Sequence, residues 1–149
     1  MPFIPLHDLN PRLFIRYPWV TWGVVLVCIL IFVGELFADE DLQRSILFGF
    51  GMIPALVTGQ ATLDPDIAAP PAVLTVVTYM FLHGSVMHLV GNMLYLWVFG
   101  DNVEDAMGHG RFALFYGVCG VAAAALHMAL DPASRLPTIG ASGAISGVL

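Results

Sequence analysis

The sequence predicts an all-α, polytopic membrane protein, and three observations lead there. Of the 149 residues, 58% are hydrophobic and only 11% charged, with a mean hydropathy of +0.85, too apolar for a soluble domain of this length. Trp19 to Phe37 is an apolar run free of Asp, Lys and Arg, long enough to cross a hydrocarbon core of about 30 Å at about 1.5 Å per residue. Further apolar blocks follow at Val73 to Phe99 and Phe112 to Leu130, parted by polar and proline-bearing stretches.

Charge and cysteine content narrow the function classes. Eleven acids stand against five arginines and no lysine, a net charge of −6. With no basic tract, nucleic acid and an anionic membrane surface are poor partners. Cys28 and Cys119 fall in apolar segments, where small buried hydrophobes are expected and a disulfide framework is not. The start does not resemble a cleavable signal peptide: it lacks a basic first segment, and no small-x-small site precedes Asp39, Glu40 and Asp41.

Residues 1–18 form a cytoplasmic or interfacial lead-in, because Pro2, Pro5, Pro11 and Pro18 forbid a regular helix. Residues 19–149 are the membrane domain. Its first span covers about 19–38, opening on Trp19 and Trp22 as an interfacial belt. Arg12 and Arg16 precede that span, which puts the N-terminus in the cytoplasm. Glu35, one turn from the far end, is expected to snorkel outward. From Asp39 to about Thr75 the chain is broken by Pro54, Pro65, Pro70 and Pro71, yet carries Ile46, Leu47, Phe48, Phe50, Met52 and Ile53. Such a patch predicts a segment lying in the outer interface.

The block from Val73 to Phe99 is too long and too polar for one span. It is divided at Gly84 and Ser85, with Ser85 as N-cap, giving span two over about 85–100. His88 and Asn92, four residues apart, then share a helical face, and His83 folds back over its mouth. A polar connection from Asp101 to Arg111 leads to span three, about 112–130, whose Gly117, Gly120 and Ala122 to Ala125 permit close helix approach. Asp131 to Ile139 is a second outer loop, and span four, 141–149, is cut off after Leu149. This alternation brings His88, Asn92 and Ser142 to one depth near the outer face.

A coplanar His, Asn and Ser inside a membrane are either a site or interhelical hydrogen-bonding glue. Ser142 stands in Gly140-Ala141-Ser142-Gly143, and Ala144 breaks the Gly-x-Ser-x-Gly elbow of soluble hydrolases. At a helix start, free N–H groups and the positive dipole end suit an oxyanion. Gly143 and Gly147 form a Gly-x-x-x-Gly face, expected to serve close packing. A metal site from His83, His88 and His127 is disfavoured, since no acid or thiol joins them at that depth.

His83, His88 and Asn92, the stretch with Glu104, Gly108 and Arg111, and Gly140 to Gly143 together resemble the signature of the rhomboid intramembrane serine proteases. The resemblance runs from span one to the start of span four. It implies a rhomboid-like bundle, here incomplete, and makes Ser142 the nucleophile. His88, Asn92 and the Ser142 N–H would line the oxyanion hole, with His83, Gly140 and Gly143 supporting. Glu104, Gly108, Arg111 and Gly147 would be structural. It also implies a Ser-His dyad whose histidine lies on a sixth span, beyond Leu149, so these 149 residues are expected to be a fragment inactive alone. The implied activity is cleavage of transmembrane protein substrates in the bilayer near the outer face, in a bacterial cytoplasmic membrane, with no metal or cofactor. The alternative is a rhomboid-like pseudoprotease that binds membrane clients without cutting them.

Overall fold

The computed structural model describes residues 13–149, and the all-helical class holds there. Helices α1 (Trp19–Leu36), α2 (Glu40–Phe50), α3 (Pro54–Val57), α4 (Thr75–Thr78), α5 (Val86–Met107), α6 (His109–Leu130) and α7 (Ser142–Val148) follow one another, with short 3-10 turns at Ala72–Leu74 and Tyr79–Phe81. Among the described residues the one isolated β pairing is an antiparallel bridge between Met52 and Thr138. Helices α1 and α6 are each long and apolar enough to cross a membrane, and a third crossing results if 72–81 and 86–107, bent by 82°, form one broken span. Pro2, Pro5, Pro11 and Arg12 of the lead-in lie outside the described residues.

Two of the helices, α2 and α5, start on a side chain that accepts a free N–H group. Asp39 caps α2 by accepting from the Leu42 N–H at 2.8 Å, with Glu40 and Asp41 favourably placed in the first turn. Ser85 caps α5 by accepting from the His88 N–H at 3.1 Å. Helix α1 begins after Pro18, which has no side-chain acceptor, so its cap comes from elsewhere. The Glu104 carboxylate on α5 accepts from the Val20 and Thr21 N–H groups at 2.9 and 2.8 Å. It also meets His109 Nδ1 at 2.6 Å. Beside it, Asp105 accepts from the Leu13, Phe14 and Ile15 N–H groups at 2.7–2.8 Å.

These carboxylates explain a correction. The polar connection expected from Asp101 to Arg111 is instead largely helical, with α5 continuing through Met107. Charge clusters usually mark solvated loops, but Glu104 and Asp105 are buried and satisfied by backbone donors from the lead-in and α1. The reversal into α6 needs only Gly108, whose φ of +78° suits glycine. Its N–H bonds the Glu104 carbonyl at 2.8 Å.

The first loop carries α2 and α3, and its middle is stitched to the second loop. The Met52 and Thr138 backbones exchange hydrogen bonds at 3.0 and 2.8 Å, and the Ala55 N–H donates to the Ser134 carbonyl at 2.9 Å. The Thr58 hydroxyl reaches the Pro132 carbonyl at 2.9 Å.

Helix α7 lies along α6 through its glycine face. A Cβ on Gly143 would stand 2.6 Å from the Ala123 Cβ, and one on Gly147 would collide with the Cys119 sulfur. Residues 119 and 123 are one turn apart on α6, so the two glycines match two successive positions of the facing ridge. We expect Gly147→Val to cost about 1–3 kcal/mol by overpacking, measured by thermal unfolding in detergent. An unchanged transition would show that α7 does not seat on α6 this closely.

Candidate active site

Ser142 is the first residue of α7 and is exposed. The first helical bond runs from the Ile145 N–H to the Ala141 carbonyl at 2.9 Å, so the N–H groups of Ser142, Gly143 and Ala144 have no acceptor within the helix. Ser146 turns its hydroxyl onto the Ser142 carbonyl at 2.8 Å.

Gly140 joins this serine to α5. Its φ is +120°, a conformation L side chains rarely adopt. A Cβ there would lie 2.6 Å from His88 Nε2 and 3.7 Å from Asn92 Nδ2. His88 and Asn92 therefore converge on one face of the backbone two residues before Ser142. Asn92 is buried and its Nδ2 has no hydrogen-bond partner among the described residues. Such an unmet donor costs about 1–3 kcal/mol, and it is ready to meet an acceptor that enters the site.

His83 lies behind this pair, in the connection between the Tyr79–Phe81 turn and α5. It is 2% exposed, neither ring nitrogen has a partner among the described residues, and its ring meets His88 edge to face at 5.2 Å. A cavity of about 380 Å³ opens beside it, bounded by Glu35 of α1, Gln43 and Leu47 of α2, Ser85 and Ile139. Glu35 is half-buried along this cavity. Among the described residues no three of the His, Cys, Asp and Glu side chains gather as metal ligands, and His127 is exposed near the end of α6.

One organising residue carried no sequence signal. Tyr79 accepts the Gly140 N–H on its carbonyl at 2.9 Å and donates its hydroxyl to the Gly120 carbonyl at 2.8 Å. The same hydroxyl would be 3.1 Å from a Cβ on Gly143. It thus bonds Gly140 and lies close to Gly143 while anchoring to α6. In the sequence it is one aromatic within an unbroken apolar block, and only its position four residues before His83 hints at a role.

The remaining predicted residues are elsewhere. Glu104 and Gly108 sit at the opposite end of α5, with Glu104 about 18 Å along the helix from Asn92. Arg111 is exposed, and the partners of the Glu104 carboxylate among the described residues are Val20, Thr21 and His109. His109, not among the residues singled out from the sequence, fills the place beside Glu104.

Long apolar helices, a broken span and a serine at a helix start define an all-helical, polytopic integral membrane protein. Residues 70–149, which contain every one of these site residues, match the Rhomboid domain family, and the chain belongs to it. It is 40% identical over 72 residues to Rhomboid protease GluP of Bacillus subtilis, covering 48% of this chain and 14% of that protein. RHOMBOID-like protein 5 of Arabidopsis thaliana is 24% identical over 158 residues, covering 91% of this chain and 50% of that one. Rhomboid protease GlpG of Salmonella newport is 29% identical over 93 residues, or 62% and 28% of the two chains. The chain thus spans half or less of the length of these relatives.

Proposed function

We propose that Ser142 is the nucleophile of an intramembrane serine endopeptidase that cleaves transmembrane protein substrates near the outer membrane face. The observation carrying this reading is the convergence of His88 and of the unpartnered Asn92 amide on Gly140, immediately before a serine at a helix start. The Ser142 hydroxyl attacks the scissile carbonyl and transfers its proton to a base. The oxyanion meets the Ser142 N–H, Asn92 and His88, groups oriented before the reaction begins. Collapse of the tetrahedral species expels the amine, and water then hydrolyses the acyl-enzyme. No step uses a metal or cofactor.

The base is the histidine that the family resemblance puts on a sixth span. None of the described histidines hydrogen-bonds the Ser142 hydroxyl, and a serine without a base is a weak nucleophile at neutral pH. His83, packed on the His88 ring, acts as a positioning residue, and Tyr79 holds Gly140 against α5. The arginines before α1 support an N-terminus inside, and the similarity to bacterial rhomboid proteases supports a bacterial cytoplasmic membrane.

In the full-length protein, Asn92→Ala is expected to lower kcat on a transmembrane substrate about a hundredfold with little change in KM. Unchanged kcat would remove Asn92 from the oxyanion pocket. A pseudoprotease that escorts membrane clients is the second reading, and the exposed Ser142 beside a spare amide donor speaks against it. Client capture by unsubstituted full-length protein without any cleavage would favour it.

A further inference from the structure

Arg44 of α2 and Arg135 of the second outer loop line one cleft of about 200 Å³. Of the other described arginines, Arg16 precedes α1 and Arg111 opens α6, so these two are the guanidinium groups on the outer loops. Their sequence neighbours do not explain them. Among the described residues neither forms an ion pair, although Glu40 and Asp41 lie one turn before Arg44 at spacings that allow one. The Arg44 guanidinium instead stands over the Phe48 ring, 5.9 Å from its centroid. Asp64 is the acid on the cleft wall, and its carboxylate accepts the Asp66 N–H at 3.1 Å within its own turn. The rest of the wall is largely apolar: Phe48, Ile53, Leu56, Leu63 and Ile67.

We propose that this cleft binds the phosphodiester of a phospholipid headgroup, held by Arg44 and Arg135, with the glycerol and upper acyl carbons against the apolar wall. Two guanidinium forks match a phosphate's oxygens, and an apolar wall beside them favours a lipid over a free anion. Headgroup recognition depends on local groups within a Debye length, and on the cleft wall itself two guanidinium groups stand against the one carboxylate of Asp64. The cleft is too small for a folded partner. Arg135 belongs to the segment that runs into Gly140, so a bound lipid would tie α2 to the backbone leading to Ser142.

The test is native mass spectrometry of the full-length protein released from nanodiscs of phosphatidylglycerol and phosphatidylcholine, counting retained phospholipid. Arg44→Gln with Arg135→Gln is expected to reduce retention about tenfold or more, whereas replacing both by lysine keeps the charge and retains more. Equal retention by the unsubstituted and glutamine proteins would overturn the proposal. A titration with inorganic phosphate that saturates the cleft as tightly as lipid would also overturn it, in favour of a free-anion site. A phospholipid carrying a headgroup-proximal diazirine gives a readout that needs no variant. Crosslinks to α2 near Arg44 and to the segment around Arg135 are expected, and crosslinks confined to other segments would contradict the assignment.

Discussion

Gly140→Ala is expected to reduce cleavage by the full-length protein about a hundredfold or more while costing about 1–3 kcal/mol of stability. Two effects combine, and they act on different quantities. The positive φ strains any L residue at this position, which lowers the unfolding transition. The added Cβ would also sit 2.6 Å from His88 Nε2. Because the clashing atom is the far end of a side chain, the fold can relieve it by swinging the imidazole aside, at the expense of the donor geometry around Ser142. Activity should therefore fall far more than stability. A proportionate loss of both, or normal activity, would contradict the role given to Gly140.

Glu104→Ala is expected to be among the most destabilising single substitutions, about 3–5 kcal/mol in unfolding assays. The carboxylate is fully buried and accepts two N–H groups of the first turn of α1, a helix whose Pro18 cap offers no side-chain acceptor. Removing it orphans both donors and the His109 contact at once. Glu104→Gln retains one carbonyl acceptor and should lose less. Arg111→Ala, at an exposed position, should shift stability by no more than about 0.5 kcal/mol. Equal effects at positions 104 and 111 would mean that the helix cap is not what Glu104 supplies.

Much of the fold was legible because membrane helices announce themselves by length and apolarity. The start of α5 was legible for a second reason: Ser85 is a strong N-cap residue after a glycine, and the structure uses it as one. What misled was the cluster Asp101, Asn102, Glu104 and Asp105. Charges read locally imply a solvated turn, whereas the Asp105 and Glu104 carboxylates find backbone donors more than eighty residues away in the chain, at Leu13–Ile15 and Val20–Thr21. Long-range capping of this kind leaves no local signal. The Asp39 cap of α2 is local, three residues from its donor, and was hidden for another reason: apolar residues after an acidic stretch fit an interfacial segment of any conformation.

The site divides in the same way. His88 and Asn92 could be paired from helical spacing, and Gly140 from its place before the serine. Their meeting on one backbone face is a property of how α5, the loop at 131–139 and α7 cross, as is the part of Tyr79, whose carbonyl and hydroxyl act on different neighbours. The Gly143 and Gly147 face was legible as packing, but its partners Ala123 and Cys119 on α6 were not.

The identity of Ser142 as the nucleophile is tested most directly by a serine-reactive fluorophosphonate applied to the full-length protein in detergent, with the modified peptide mapped by mass spectrometry. The adduct is predicted on Ser142, abolished by Ser142→Ala and weakened by Asn92→Ala and by Gly140→Ala. Labelling that persists after Ser142→Ala, or that maps to Ser146, would contradict it.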